Sequence, residues 1–95
     1  MIEVILPKWI QRYLNAPKRC PRQLKEMFIN EMSALYEDIE VGEVLVGDLA
    51  GHYKINFTFK GVDYRIIYTV LSDEEILIVY CGPRENAYKI IKRTL

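Results

Sequence analysis

HYKINFTFKGVDYRIIYTVLSDEEILIVYC, residues 52–81, decides the fold. Over residues 52–60 the side chains alternate with a period of two. Tyr53, Ile55, Phe57 and Phe59 fall on one face, and His52, Lys54, Asn56 and Thr58 on the other. Gly61 interrupts the pattern, and 64–71 repeats it, with Tyr64, Ile66, Tyr68 and Val70 opposite Arg65, Ile67 and Thr69. A third strand over 75–81 follows the Ser72-Asp73-Glu74 turn and is apolar on both faces, so its register is not readable. If the turn around 60–63 holds an even number of residues, paired positions in the first two strands sum to 123. Phe59 then faces Tyr64, Phe57 faces Ile66, Ile55 faces Tyr68, Lys54 faces Thr69 and Thr58 faces Arg65. Lys54 and Arg65 share the polar face in that register.

Working outward, residues 2–6 are rich in β-branched side chains and read as a short first strand. Pro7 suits a helix start, and Trp9, Ile10, Tyr13 and Leu14 lie on one helical face before Asn15-Ala16-Pro17 breaks it. Pro21 opens a second helix whose stripe is Leu24, Met27, Phe28, Leu35, Tyr36 and Ile39. Residues 86–93 form a short last helix with Ala87, Ile90 and Ile91 apolar. The expected architecture is α+β: an N-terminal strand and helical hairpin packed on one face of a curved antiparallel sheet, with a short C-terminal helix. The opposite face stays partly open. With 95 residues the chain is expected to form a single domain, 1–95.

Composition removes several classes. Half the residues are hydrophobic, which excludes disorder, and two cysteines 61 positions apart make neither a disulfide scaffold nor a CxxC zinc site. No apolar run approaches the ~18 residues of a membrane span, and MIEVILPKWI lacks a secretory leader, so a cytoplasmic protein is expected. With one histidine and no HxxxH, no metal site is expected; no GxGxxG or Walker loop suggests a cofactor, and none is expected. His52 also has no Ser or Cys on a nucleophile turn to serve. Thirteen bases balance thirteen acids, but unevenly. Lys8, Arg12, Lys18, Arg19, Arg22 and Lys25 come without an acid among them, whereas 37–48 carries five acids and no base. Such segregation serves solvation in many helical proteins and by itself argues neither for nor against an anionic partner.

What remains is a cationic and phenolic set. Lys54 and Arg65 occupy the polar face, Arg84 follows the last strand, and Tyr88 lies one helical turn beyond it. Taken singly, each reads as a solvated or structural side chain. Gathered on an open face, they suit a phosphodiester, whose transition state gains charge on its non-bridging oxygens.

The order of these pieces resembles the RelE/ParE superfamily of bacterial toxins. The resemblance rests on Tyr53-Lys54, Gly61, Tyr64-Arg65-Ile66-Ile67-Tyr68 and Arg84-Glu85-Asn86-Ala87-Tyr88, preceded by VGDLAGH, and covers about 45 residues well. The N-terminal half agrees in layout alone. The resemblance implies the toxin of a type II toxin–antitoxin pair. Its partner would be a cognate antitoxin with an acidic segment that wraps it, in a complex repressing its own operon. The RelE branch further implies a metal-independent mRNA endonuclease acting on translating 70S ribosomes, by attack of the ribose 2′-OH on the adjacent phosphate. The basic segment Lys8, Arg12, Lys18, Arg19, Arg22 and Lys25 would then supply the local field for RNA or the ribosome. Lys54 would then act as, or assist, the general base. Arg65 and Arg84 would neutralise the phosphorane, Arg84 would also serve the leaving group, and Tyr88 would orient the substrate or stack on a base. A base role requires neighbours that lower the lysine pKa, and Arg65 is the candidate. Where the nuclease branch often carries a second cation two residues after the lysine, this chain has Asn56, and His52 faces the same way. These two are the accessory candidates. The ParE branch implies the alternative, a DNA gyrase inhibitor acting by protein binding; a degenerate, non-catalytic antitoxin binder is a third.

Overall fold

The computed structural model describes residues 2–94, the side chains of Asp48, Lys92, Arg93 and Thr94 excepted. Two prolines set the N-terminal layout. Strand β1 (Glu3–Ile5) ends before Pro7, whose carbonyl accepts the amides of Ile10 and Gln11 at 3.1 Å and starts helix α1 (Lys8–Leu14). Pro21 likewise precedes helix α2 (Arg22–Ser33). Strand β2 (Glu43–Val44) leads to β3 (His52–Phe59), β4 (Val62–Ser72) and β5 (Glu75–Pro83), and helix α3 (Arg84–Thr94) closes the order.

The five strands form one sheet in the order β1-β5-β4-β3-β2. The meander of β3, β4 and β5 is antiparallel as expected, but β1 pairs parallel to β5, Glu3 against Glu75, so the sheet is mixed. The reason is topological: the two helices of the hairpin return the chain across one face, and β1 is left at the far edge.

The even loop holds, but paired positions in β3 and β4 sum to 121 rather than 123. Tyr53 faces Tyr68, Ile55 faces Ile66, Phe57 faces Tyr64, Lys54 faces Ile67 and Asn56 faces Arg65. The turn is two residues, Lys60 and Gly61, both at positive φ (49° and 79°). That is the hairpin geometry whose twist matches the strands, and it lets Val62 and Asp63 join β4. Moving the register by two preserves which side chains share a face.

The main core lies between the helices and one sheet face. Phe28 of α2 stands at its centre, edge-on to Tyr13, Phe57 and Tyr64 at ring separations of 6.0, 5.0 and 5.8 Å. Leu24, Met32, Leu35, Ile66, Tyr68 and Ile78 are buried with it. The second helix stops earlier than the apolar stripe suggests. A single 3-10 turn at Ala34–Tyr36 advances the phase, so Leu35 is buried while Tyr36 is half exposed. On the opposite face α3 brings Ala87 and Ile91 onto Ile67, Tyr80, Leu45 and Leu49 as a second, smaller core. The face expected to stay partly open is therefore covered at that end.

Candidate functional site

Asn56, Arg65 and Gly82 form one row across β3, β4 and β5. Arg65 is only 2% exposed, the one charged side chain buried among the described residues. A buried guanidinium needs partners for its donors. Its Nε donates to Asn56 Oδ1 at 2.8 Å and its Nη1 to the Tyr88 hydroxyl at 2.6 Å. Its Cζ also lies 5.2 Å from the centre of the Tyr88 ring, within cation–π range. Asn56, in place of the expected second cation, thus holds Arg65 from its cross-strand position.

Arg84 opens α3 at the end of β5, with 60% of its side chain exposed. It reaches Asp63 Oδ2 at 3.8 Å, while the other carboxylate oxygen of Asp63 accepts from Thr58 Oγ1 at 2.9 Å. Together with Tyr88, Arg84 borders a cleft of ≈ 530 Å³ that also includes Gly61, Asp63, Pro83 and Glu85. The structure thus brings Arg65, Tyr88, Arg84 and Asn56 to one end of the sheet.

Lys54 stands two residues along the same face of β3 from Asn56, roughly 7 Å away along the strand. It does not face Thr69 but Ile67, and across its other edge it meets Glu43 of β2, whose Oε2 is 3.8 Å from Nζ. His52 begins β3 opposite Thr69, with Nδ1 3.2 Å from the carbonyl of Leu49. None of its described contacts reaches Arg65 or Arg84. Of the basic segment, Lys8 and Arg12 lie on α1, Lys18 and Arg19 on the connecting turn, and Arg22 and Lys25 on α2. Arg22 pairs with Glu26 at 3.3 Å and Lys25 donates to Asn15 at 2.7 Å.

Three residues escaped the reading of the sequence. Asp63 and Glu43 are the carboxylates that engage Arg84 and Lys54, and both lie in segments read as turn or loop. Gly82 leaves room beside the row. A Cβ there would lie 2.7 Å from the hydroxyl of Tyr80, which donates to the Pro83 carbonyl at 2.6 Å. Among the described residues, no three His, Cys, Asp or Glu side chains gather as metal ligands would.

Chemically, the site pairs one buried, hydrogen-bonded guanidinium with one exposed one, donors that could meet an anion. Arg65 is held under a phenol, and Arg84 is tethered by a single weak, solvent-exposed pair. The family model for ParE-like toxins of type II bacterial toxin–antitoxin systems matches residues 8–92. The chain belongs to that family. The toxin also shares its fold with a doubly substituted variant of the Escherichia coli toxin RelE in the free state. The two superpose with a TM-score of 0.67 at 16% identity, covering 99% of this chain and 98% of that one. No protein with a curated description matches the toxin's sequence. Membership of the RelE/ParE superfamily brings with it a cognate antitoxin as partner. No described helix of the toxin is long and apolar enough to cross a membrane.

Proposed function

We propose that this toxin is a cytoplasmic, ribosome-dependent mRNA endonuclease that works without a metal ion. The observation that carries this reading is exposed Arg84 and Tyr88 bordering one cleft, with buried Arg65 bonded to the Tyr88 hydroxyl behind it. Two guanidiniums so placed match the charge that develops when a phosphodiester becomes a phosphorane.

The reaction divides among the residues as follows. The ribose 2′-oxygen gives up its proton and attacks phosphorus, the bond to the 5′-oxygen breaks, and that oxygen takes a proton from solvent water, so that the products are a 2′,3′-cyclic phosphate and a free 5′-OH. Arg84 leaves Asp63 to take a non-bridging oxygen, while Arg65 offers a charge already desolvated and oriented. Tyr88 packs against the base or orients the phosphate. Lys54 serves the 2′-oxygen. To accept its proton, Lys54 must first separate from Glu43 and be neutral, because an ammonium has donors only.

The test is a reconstituted translation reaction with mapping of mRNA 5′ ends by primer extension. Cuts within codons that need the ribosome and vanish with Arg84→Ala support the assignment. Intact mRNA with folded, toxic protein moves the function to DNA gyrase. Two observations favour that second reading enough to keep it in the test: the family model is the ParE-like one, and Arg65 is almost wholly buried beneath Tyr88.

A further inference from the structure

A second groove of ≈ 640 Å³ runs between α1 and α3, past the end of β5. Its floor and walls include Trp9, Tyr13, Tyr80 and Ile90, and its rim carries Arg12 and Arg19. Trp9 leaves 37% of its surface exposed, unusual for the largest apolar side chain, and its ring is tilted by 47° against Tyr80 at 6.3 Å. Among the described residues, neither rim arginine has a carboxylate partner and no carboxylate lines the groove. Pro83 borders both this groove and the cleft beside Arg84 and Tyr88, so the two depressions meet at one residue.

We propose that this groove binds single-stranded RNA, as a continuation of the strand held at Arg84. One base stacks on Trp9, and the flanking phosphates lie on Arg12 and Arg19. The inference rests on the reading of the neighbouring cleft as a phosphodiester site. An aromatic platform flanked by unpaired guanidiniums is how proteins hold single strands without reading sequence. An acidic peptide would satisfy the arginines too. The junction at Pro83 favours a continuous polyanion, which can fill both depressions with one evenly charged backbone. The groove thereby adds strand affinity outside the reacting phosphate and gives the basic α1 segment a defined task.

Trp9 is the only tryptophan of the chain, so its fluorescence reports on this groove alone. Free toxin is titrated with a 2′-O-methyl hexauridylate, which lacks the nucleophilic hydroxyl and stays intact. Saturable quenching of Trp9 is expected. Arg12 and Arg19 should together account for a roughly sevenfold weakening between 50 and 200 mM salt, the share expected of two phosphate contacts on a single strand. The exposed double variant Arg12→Gln/Arg19→Gln, checked for native circular dichroism, should bind at least tenfold more weakly and lose that salt dependence. Absence of quenching by a toxin that cuts mRNA on ribosomes overturns the groove and leaves the nuclease standing. Quenching by hexaglutamate but not by RNA overturns it in favour of a protein partner. Quenching by RNA in a toxin that cuts nothing supports the groove and removes the nuclease.

Discussion

Arg65 and Tyr88 hold each other in two ways at once: Nη1 donates to the phenol oxygen at 2.6 Å, and the guanidinium carbon lies 5.2 Å from the centre of the same ring. One residue is on the middle strand of the meander and the other on the last helix, so the contact fastens α3 to the sheet. Tyr88→Phe keeps the ring and removes the acceptor, leaving a buried charged donor short of a partner. We expect a loss of about 1–3 kcal/mol in urea unfolding. Tyr88→Ala, which removes the ring as well, should lose more. A Tyr88→Phe protein as stable as the parent would show that the hydrogen bond contributes nothing to holding the helix.

Arg84→Ala and Arg65→Ala should separate chemistry from folding. Arg84 is exposed and tied by one long ion pair, so its removal should alter stability by less than about 0.5 kcal/mol while abolishing cleavage. Arg65→Ala strips partners from Asn56 and Tyr88 and opens a buried void, so both stability and activity should fall. Paired denaturation and primer-extension measurements on the two variants check this.

Asp63 restrains Arg84 as well as bonding Thr58. Asp63→Asn keeps an acceptor for the threonine and releases the arginine. The apparent affinity for programmed ribosomes should rise by up to about fivefold, the ceiling set by a surface pair worth under ~1 kcal/mol. Titration of cleavage against ribosome concentration would detect it, and an unchanged or weaker affinity would exclude a restraining role.

Gly42 sits where a side chain does not fit. Its amide donates to the Tyr68 hydroxyl at 3.0 Å, and that hydroxyl in turn donates to the Ile39 carbonyl at 2.9 Å. A Cβ would meet the backbone oxygen of Lys54 at 2.7 Å. Gly42→Ala should therefore push β2 off β3 and lower stability by roughly 1–3 kcal/mol, the range for overpacking. Tyr68→Phe, which frees the same loop without a clash, should cost about 1–2 kcal/mol. Chemical denaturation of both would check the assignment.

Alkaline pH should unfold the protein early. Burial pushes the thiols of Cys20 and Cys81 above their ordinary value of 9.0 and the phenols of Tyr13 and Tyr68 above 10.0; for Tyr80 it reaches about 12. In each case the neutral form is favoured in the folded chain, so the unfolded chain gives up its proton first as pH rises. The stabilisation is whole below about pH 9 and is lost progressively from there through about pH 12. Thermal melting across that window, followed with tyrosinate absorbance, should show the midpoint dropping. A constant midpoint up to pH 11 would contradict it.

Much of the scaffold was legible because period two and period 3.6 are written plainly in the meander and in α2. The loop parity placed Lys54 and Arg65 on one face correctly, and the hairpin register missed by two because Lys60, not a glycine, takes the first positive-φ position. The parallel seat of β1 was not legible, since three residues carry no mark of direction. Nor was the burial of Arg65. Mid-strand cations usually reach solvent, and only the arrival of α3 covers this one. The carboxylates Glu43 and Asp63 became visible once the chain placed them across a strand edge and a cleft.

The seat of β1 beside β5 also sets a timetable. Glu3 waits for Glu75, a separation of 72 positions, whereas β3, β4 and β5 find neighbours within a hairpin's length. Contacts that distant along the chain are slow to form, and a ribosome delivers only about 5–20 residues each second. The sheet cannot close until synthesis has passed residue 77, and α3 with Tyr88 is made later still. Every newly made copy is therefore unfinished, and its arginine cluster unassembled, for several seconds after its first helix emerges.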